Sequence, residues 1–123
     1  MPLIHRHIDI KAPVNKVFSY VMSPLNNLDW LHSMKDLNDV HGSGEGTKFK
    51  WSWKMCHLIF HGEAVILKSI PDKFLFIKSW GDIESTWQFQ FNALRDATSL
   101  DLDIEYSIPV PVLGKLAEKM ILK

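Results

Sequence analysis

The sequence has little of three features that would narrow its class at once: cysteine, net charge and long apolar runs. Its single cysteine, Cys56, cannot form a disulfide within the chain, so no disulfide framework holds the fold. Lysine and arginine together number 14, as do aspartate and glutamate, so the formal net charge is zero. Because binding to a phosphate backbone depends on summed positive charge, we expect no nucleic acid partner.

The apolar stretches are also short. None approaches the ~20 residues that a helix needs to cross a bilayer. The first residues lack the charged and then apolar pattern of a secretory leader. We therefore expect no transmembrane segment and a cytoplasmic location. The length of 123 residues suits one hydrophobic core, so residues 1–123 are predicted to form a single domain.

In the N-terminal part, apolar residues first alternate with polar ones, as in a strand, and then recur at helical spacing. Ile4, Ile8 and Ile10 share one face of a predicted first strand. After Pro13, apolar residues recur at helical spacing from position 14 to 22, which predicts an amphipathic helix. Ser23 followed by Pro24 is typical of an N-cap and a first helical position, so a second short helix is predicted through about residue 31.

The rest of the chain is dominated by a period of two, which is typical of strands with one apolar face. Strands are predicted at 35–42, 48–55, 58–69, 73–80, 86–91 and 99–108, although both faces of 58–80 are mixed and leave their register open. A last helix is predicted over 111–123. A long meander twists, and its concave face must be covered. The predicted fold is therefore α+β, with a strongly curved antiparallel sheet of about six or seven strands and a C-terminal helix across it.

Several short motifs resemble a known family along nearly the whole chain. The polyketide cyclase/dehydrase-like branch of the START and birch-pollen-allergen superfamily (SRPBCC, helix-grip) has similar signatures at Ala12-Pro13-x-x-x-Val17-Phe18, Gly42-x-Gly44-x-Gly46-Thr47 and Tyr106-x-Ile108-Pro109. The resemblance implies a helix-grip fold. The sequence departs from the family in its final helix, which usually runs beyond the position of Lys123, so either the chain is truncated or its pocket is more open than usual. The resemblance also implies binding of lipids, sterols, quinones, hormones or polyketides, or catalysis of ring closure, dehydration or aromatisation, but no shared catalytic residue.

Aromatic side chains are concentrated on the predicted inner face, which favours an apolar pocket for a flat or ring-shaped ligand. The alternative is that these rings simply fill the core. The candidate ligand-binding residues are Trp30, Trp51, Trp53, Trp87, Phe89, Leu102, Tyr106, Leu116 and Met120.

Tyr106 and Arg6 are the candidates for catalysis, because each would bring a polar group to an otherwise apolar face. A backbone hydrogen bond for Tyr106 and a solvent-facing position for Arg6 are the alternatives. His57 and His61 lie too far apart on a strand to share one metal ion. His5 and His7 lack an obvious third ligand besides Asp9, so no metal and no cofactor are expected.

Three functions remain open from the sequence. The favoured one is binding of a hydrophobic small molecule, without catalysis. The second is a cyclase or dehydratase that acts on a polyketide-like substrate. The third is a protein-interaction or homodimerisation module, in which a partner covers the apolar stripe of the last helix. That stripe comprises Leu113, Leu116, Met120 and Ile121.

Overall fold

Seven antiparallel strands form one sheet in the computed structural model, which describes residues 3–26, 34–42, 44–55, 58–107 and 111. The strands are β1 (Leu3–Ile10), β2 (Met34–His41), β3 (Lys48–Met55), β4 (Leu58–Ile70), β5 (Phe74–Gly81), β6 (Glu84–Leu94) and β7 (Ala97–Ser107). Their spatial order is β1-β7-β6-β5-β4-β3-β2, so β1 pairs with the last strand and the rest follow as a meander. This confirms the predicted antiparallel sheet.

One α-helix, α1 (Val14–Met22), lies in the described part of the chain between β1 and β2. The prediction of a second helix starting at Ser23 was wrong, since Pro24–Asn26 form a single 3-10 turn. The Ser23 hydroxyl does not cap a new helix, because it donates back to the carbonyl of Ser19 in α1 at 3.2 Å. The backbone N–H of Asn26 donates a hydrogen bond to the backbone carbonyl of Ser23 at 3.0 Å, which is the i to i+3 bond of a 3-10 turn.

The predicted C-terminal helix lies outside the described residues apart from position 111, as does the segment 27–33. No helix within the described ranges is long and apolar enough to cross a membrane.

The structure gives the register of residues 58–80, which the sequence left open, through the pairing of β4 with β5. Their pairing shifts between Ile66 and Lys68, where Leu67 forms a bulge. At the other end, Gly81 has a φ of +125°, a backbone conformation that only glycine adopts readily. Asp82 and Ile83 then connect β5 to β6.

The helix α1 packs against β6 and β7 and buries Val17, Phe18 and Val21. The Phe18 ring meets Phe91 of β6 edge to face, with centroids 5.1 Å apart. We call the part of the inner face that packs into this cluster the filled half. Its buried members on the sheet are Ile66, Leu75, Phe89, Phe91 and Leu100.

Candidate functional site

Farther along the same face, the sheet borders a cavity of about 610 Å³. We call this part of the face the open half. The cavity wall in the described residues comprises Ile4, Arg6, Met34, Phe49, Trp51, Trp53, Ala64, Ile77, Ser79, Ile83, Ser85, Trp87, Phe89, Leu102, Ile104 and Tyr106. Most of these are apolar or aromatic, as expected for a small-molecule pocket.

The strand register explains why these residues meet. Residues directly opposite each other on neighbouring strands point to the same face of a sheet. One such row runs from β3 to β7 through five paired positions, and a second row beside it includes Ile77, Trp87 and Ile104. The members of the first row are Phe49, Ala64, Ser79, Ser85 and Tyr106.

The indole of Trp51 is held by a glycine and a serine. Trp51 lies opposite Gly62 in the register of β3 and β4. A Cβ atom on Gly62 would overlap the six-membered part of this indole, so the ring packs directly over the glycine backbone. The indole Nε1 donates a hydrogen bond to the hydroxyl of Ser79 at 2.8 Å, and both side chains are buried.

A second indole makes a similar contact on the neighbouring strand. The Nε1 of Trp87 donates to the hydroxyl of Ser85, two residues earlier, at 3.0 Å. Trp87 and Phe89 stack with centroids 6.3 Å apart and an interplanar angle of 21°. The two indoles therefore present their apolar faces while their polar N–H groups bond to serine oxygens.

The structure brings most of the predicted site residues to this wall. The six that line the cavity are Trp51, Trp53, Trp87, Phe89, Leu102 and Tyr106. The other three, Trp30, Leu116 and Met120, lie outside the described residues. So does the apolar stripe of the last helix on which the interaction hypothesis depends.

Arg6 and Tyr106 both line the cavity, at β1 and β7. Arg6 is exposed, and its Nη1 donates to the carbonyl of His5 at 2.9 Å. Tyr106 is half-buried, and its hydroxyl has no hydrogen-bond partner within the described part of the chain. The backbone bond that was the alternative for Tyr106 is therefore not formed with any of these residues.

Sequence reasoning missed several wall residues, above all two serines. Ser85 has the parity of Trp87 and Phe89, so the alternation of β6 could have identified it. Ser79 could not be found this way, because the faces of 58–80 are mixed in sequence. The remaining wall residues that were not named as ligand contacts are Ile4, Met34, Phe49, Ala64, Ile77, Ile83 and Ile104.

Histidines and carboxylates cluster on the opposite face of β1 and β7. Nδ1 of His7 lies 2.7 Å from Asp101, and its Nε2 lies 3.1 Å from Asp9. The hydrogen bond with Asp101 raises the pKa of His7 above its ordinary value, and Asp9 adds to the effect. Across the described ranges, no three metal-ligating side chains are placed to hold one ion.

No family model matches the chain, and no curated protein matches it either. Several solved structures are similar. The Zhui aromatase/cyclase from Streptomyces sp. R1128 superposes with a TM-score of 0.74 at 11% identity, over 89% of this chain and 69% of that one. A START superfamily protein from Mycobacterium smegmatis gives 0.73 at 14% identity, over 97% and 88%.

A third similar structure is the truncated norcoclaurine synthase from Thalictrum flavum, with a TM-score of 0.67 at 12% identity, over 96% of this chain and 89% of that one. At such low identity these likenesses show the fold alone. The chain shares the fold of these structures, which is the helix-grip fold that the sequence motifs predicted.

Proposed function

We propose that the chain binds a hydrophobic small molecule, of the lipid, quinone or polyketide-like aromatic class, in the cavity of the open half. The observation that carries this proposal is the cavity itself. Its volume of about 610 Å³ lies in the range of about 300–1,000 Å³ that is usual for small-molecule sites. The alternative, in which the aromatic rings fill the core completely, does not account for this space.

The chemistry of the wall favours binding over catalysis. Among the described wall residues, Arg6 and Tyr106 are the only ones with titratable groups. An arginine stays protonated in proteins, so it does not exchange protons with a substrate. Tyr106 is then the one candidate acid or base in this part of the wall, which is a weak constellation for general acid–base chemistry.

A cyclase or dehydratase is the second candidate. Its support is that Arg6 and Tyr106 share the cavity and that two structural neighbours are named an aromatase/cyclase and a norcoclaurine synthase. In such an enzyme, Arg6 and Tyr106 would hold substrate oxygens while the aromatic wall positions the rings. Turnover of a polyketide-like substrate that persists in Tyr106→Phe and Arg6→Leu would reject these roles.

The binding proposal is tested by filling the cavity. Ile104→Trp adds a large ring inside the wall, whereas Glu105→Trp adds the same ring to the exposed face of the same strand. Isothermal titration calorimetry with 2,3-dimethyl-1,4-naphthoquinone and with oleate measures affinity. We expect Ile104→Trp to weaken binding at least about tenfold, because the ring takes the volume that the ligand needs. Glu105→Trp should bind like the wild type.

Two results would contradict the proposal. One is that neither compound binds the wild-type chain. The other is that both tryptophan variants bind as well as the wild type, which would place the ligand elsewhere. Thermal unfolding of each variant shows whether a loss of binding reflects a loss of fold.

A further inference from the structure

Three residues that carry hydroxyl groups occupy directly paired positions in the otherwise apolar wall. Ser79 of β5 pairs with Ser85 of β6, and Ser85 in turn pairs with Tyr106 of β7. All three side chains line the cavity. Neighbouring strands are about 4.8 Å apart, so the row crosses three strands over roughly 10 Å. We call Ser79, Ser85 and Tyr106 the hydroxyl row.

The indole N–H groups of Trp51 and Trp87 limit the hydrogen bonds that Ser79 and Ser85 can make with a guest molecule. Each serine oxygen already accepts an indole N–H, from Trp51 at Ser79 and from Trp87 at Ser85. A serine hydroxyl has one proton to donate as well as lone pairs to accept. Because one indole N–H occupies one of the two lone pairs of each oxygen, a guest molecule can use the hydroxyl proton and the one lone pair that remains.

The hydroxyl protons have no acceptor in the described part of the chain. Neither serine donates to another described residue, and the same holds for the Tyr106 hydroxyl. Ser79 is only 6% exposed. Buried polar groups in proteins are nearly always hydrogen-bonded, so a buried donor that faces a cavity needs an acceptor within that cavity.

We propose that the hydroxyl row selects ligands that carry acceptor oxygens, such as the carbonyls of a quinone or aromatic ketone, over hydrocarbons of the same shape. The inference rests on the proposed binding function and narrows its ligand class. The aromatic wall contributes affinity for the flat rings, and the row of donors contributes the discrimination, because a donor left unpaired by a hydrocarbon loses its hydrogen bond to water.

A matched pair of compounds tests this inference. 2,3-Dimethyl-1,4-naphthoquinone and 2,3-dimethylnaphthalene share one ring system and differ in the two carbonyl oxygens. Both ring positions at which a thiol could add to the quinone are blocked by methyl groups, so Cys56 does not react with it. We expect the wild type to bind the quinone about tenfold more tightly by calorimetry, the equivalent of one or two net hydrogen bonds.

Tyr106→Phe is the cleanest variant, since it removes one hydroxyl and keeps the ring. We expect it to weaken quinone binding about threefold to tenfold and to change naphthalene binding less than twofold. Ser85→Ala should give the same selective loss. Any displacement of Trp87 in that variant would weaken both compounds equally, so the naphthalene serves as an internal control. Thr86→Val, on the other face of β6, is the matched control and should affect neither compound.

The outcomes separate this inference from the proposed function. If neither compound binds the wild type, the proposed function fails. If both bind equally well, or if Tyr106→Phe weakens both equally, the cavity binds hydrophobic guests and the inference of oxygen selection is overturned. Selective loss of quinone affinity supports both.

Discussion

The two halves of the inner face begin from the same alternation of apolar residues and end as different structures. In the filled half, Leu75 is fully buried and Phe91 is 3% exposed, because α1 places Val17, Phe18 and Val21 over the sheet. In the open half, equally apolar strands border a cavity. Alternation thus decides which face turns inward, and the covering element decides whether that face becomes core or pocket.

The largest expected effect is a difference in stability between the halves. Leu75→Ala should lower the free energy of unfolding by about 3 kcal/mol, because the filled half collapses poorly around a new void. Ile104→Ala should cost about 1 kcal/mol, since its side chain already borders open space. Urea denaturation of both variants measures the difference. Equal losses would show that the two halves are packed alike.

The next effect tests the contact between Gly62 and the Trp51 ring. Gly62→Ala should destabilise by about 1–3 kcal/mol, because the new methyl group forces the indole away from Ser79. In a Trp51→Leu background the same substitution should cost less but should not become neutral, because the new methyl group also meets the backbone carbonyl oxygen of Trp80. A double-mutant cycle by urea denaturation measures this coupling, and a coupling of zero would mean that the glycine acts independently of the ring.

A buried hydroxyl in the filled half offers a comparison with the hydroxyl row. Thr98 is 0% exposed, and its hydroxyl donates to the carbonyl of Ala12 at 2.8 Å. Thr98→Val leaves that carbonyl without this donor, so we expect a loss of about 1 kcal/mol in the free energy of unfolding. Thr86→Val, on the outer face, should be close to neutral. An unchanged free energy of unfolding in Thr98→Val would show that this hydrogen bond does not stabilise the segment between β1 and α1.

The smallest effect lies on the outer face and depends on pH. The hydrogen bond with Asp101 raises the pKa of His7 in the folded chain, so the protonated form favours folding. This contribution is fully present below the unfolded value of about 6.5 and is lost as the pH rises through the raised folded pKa. We expect His7→Gln to flatten the pH dependence of the unfolding midpoint slightly above about pH 6.5.

The control for this last prediction is His41→Gln. Among the described residues, no carboxylate lies within ion-pair distance of His41. Its substitution removes a histidine without removing an ion pair, so the comparison isolates the contacts of His7 with Asp101 and Asp9. If His7→Gln made the profile steeper, the sign of the His7 contribution would be wrong.

Much of the fold was predictable because strand periodicity is a local signal. The alternation at Phe49, Trp51 and Trp53, and again at Trp87 and Phe89, identified the inner face before any partner was known. The second N-terminal helix was predicted wrongly for an equally local reason. The Ser23 hydroxyl bonds back to α1 rather than forward, and sequence spacing does not distinguish these two directions.

The polar part of the site was harder to predict. Ser79 lies in a strand whose two faces look alike in sequence, and its position depends on a bulge near Leu67 that shifts the pairing. A bulge of one residue reverses which side chains face inward. The contact between Trp51 and Ser79 joins residues 28 apart in sequence, so no local pattern contains it.

The amino-acid sequence by itself determined the strand alternation, the apolar side of each strand and the absence of a surplus of positive charge, because these depend on residue type and spacing alone. Only the tertiary structure decided that Ser79, Ser85 and Tyr106 meet in one row and that the space beside them stays open. The physical reason is that register and cover are properties of paired elements, and a cavity forms where the available side chains are too few to fill the volume between them.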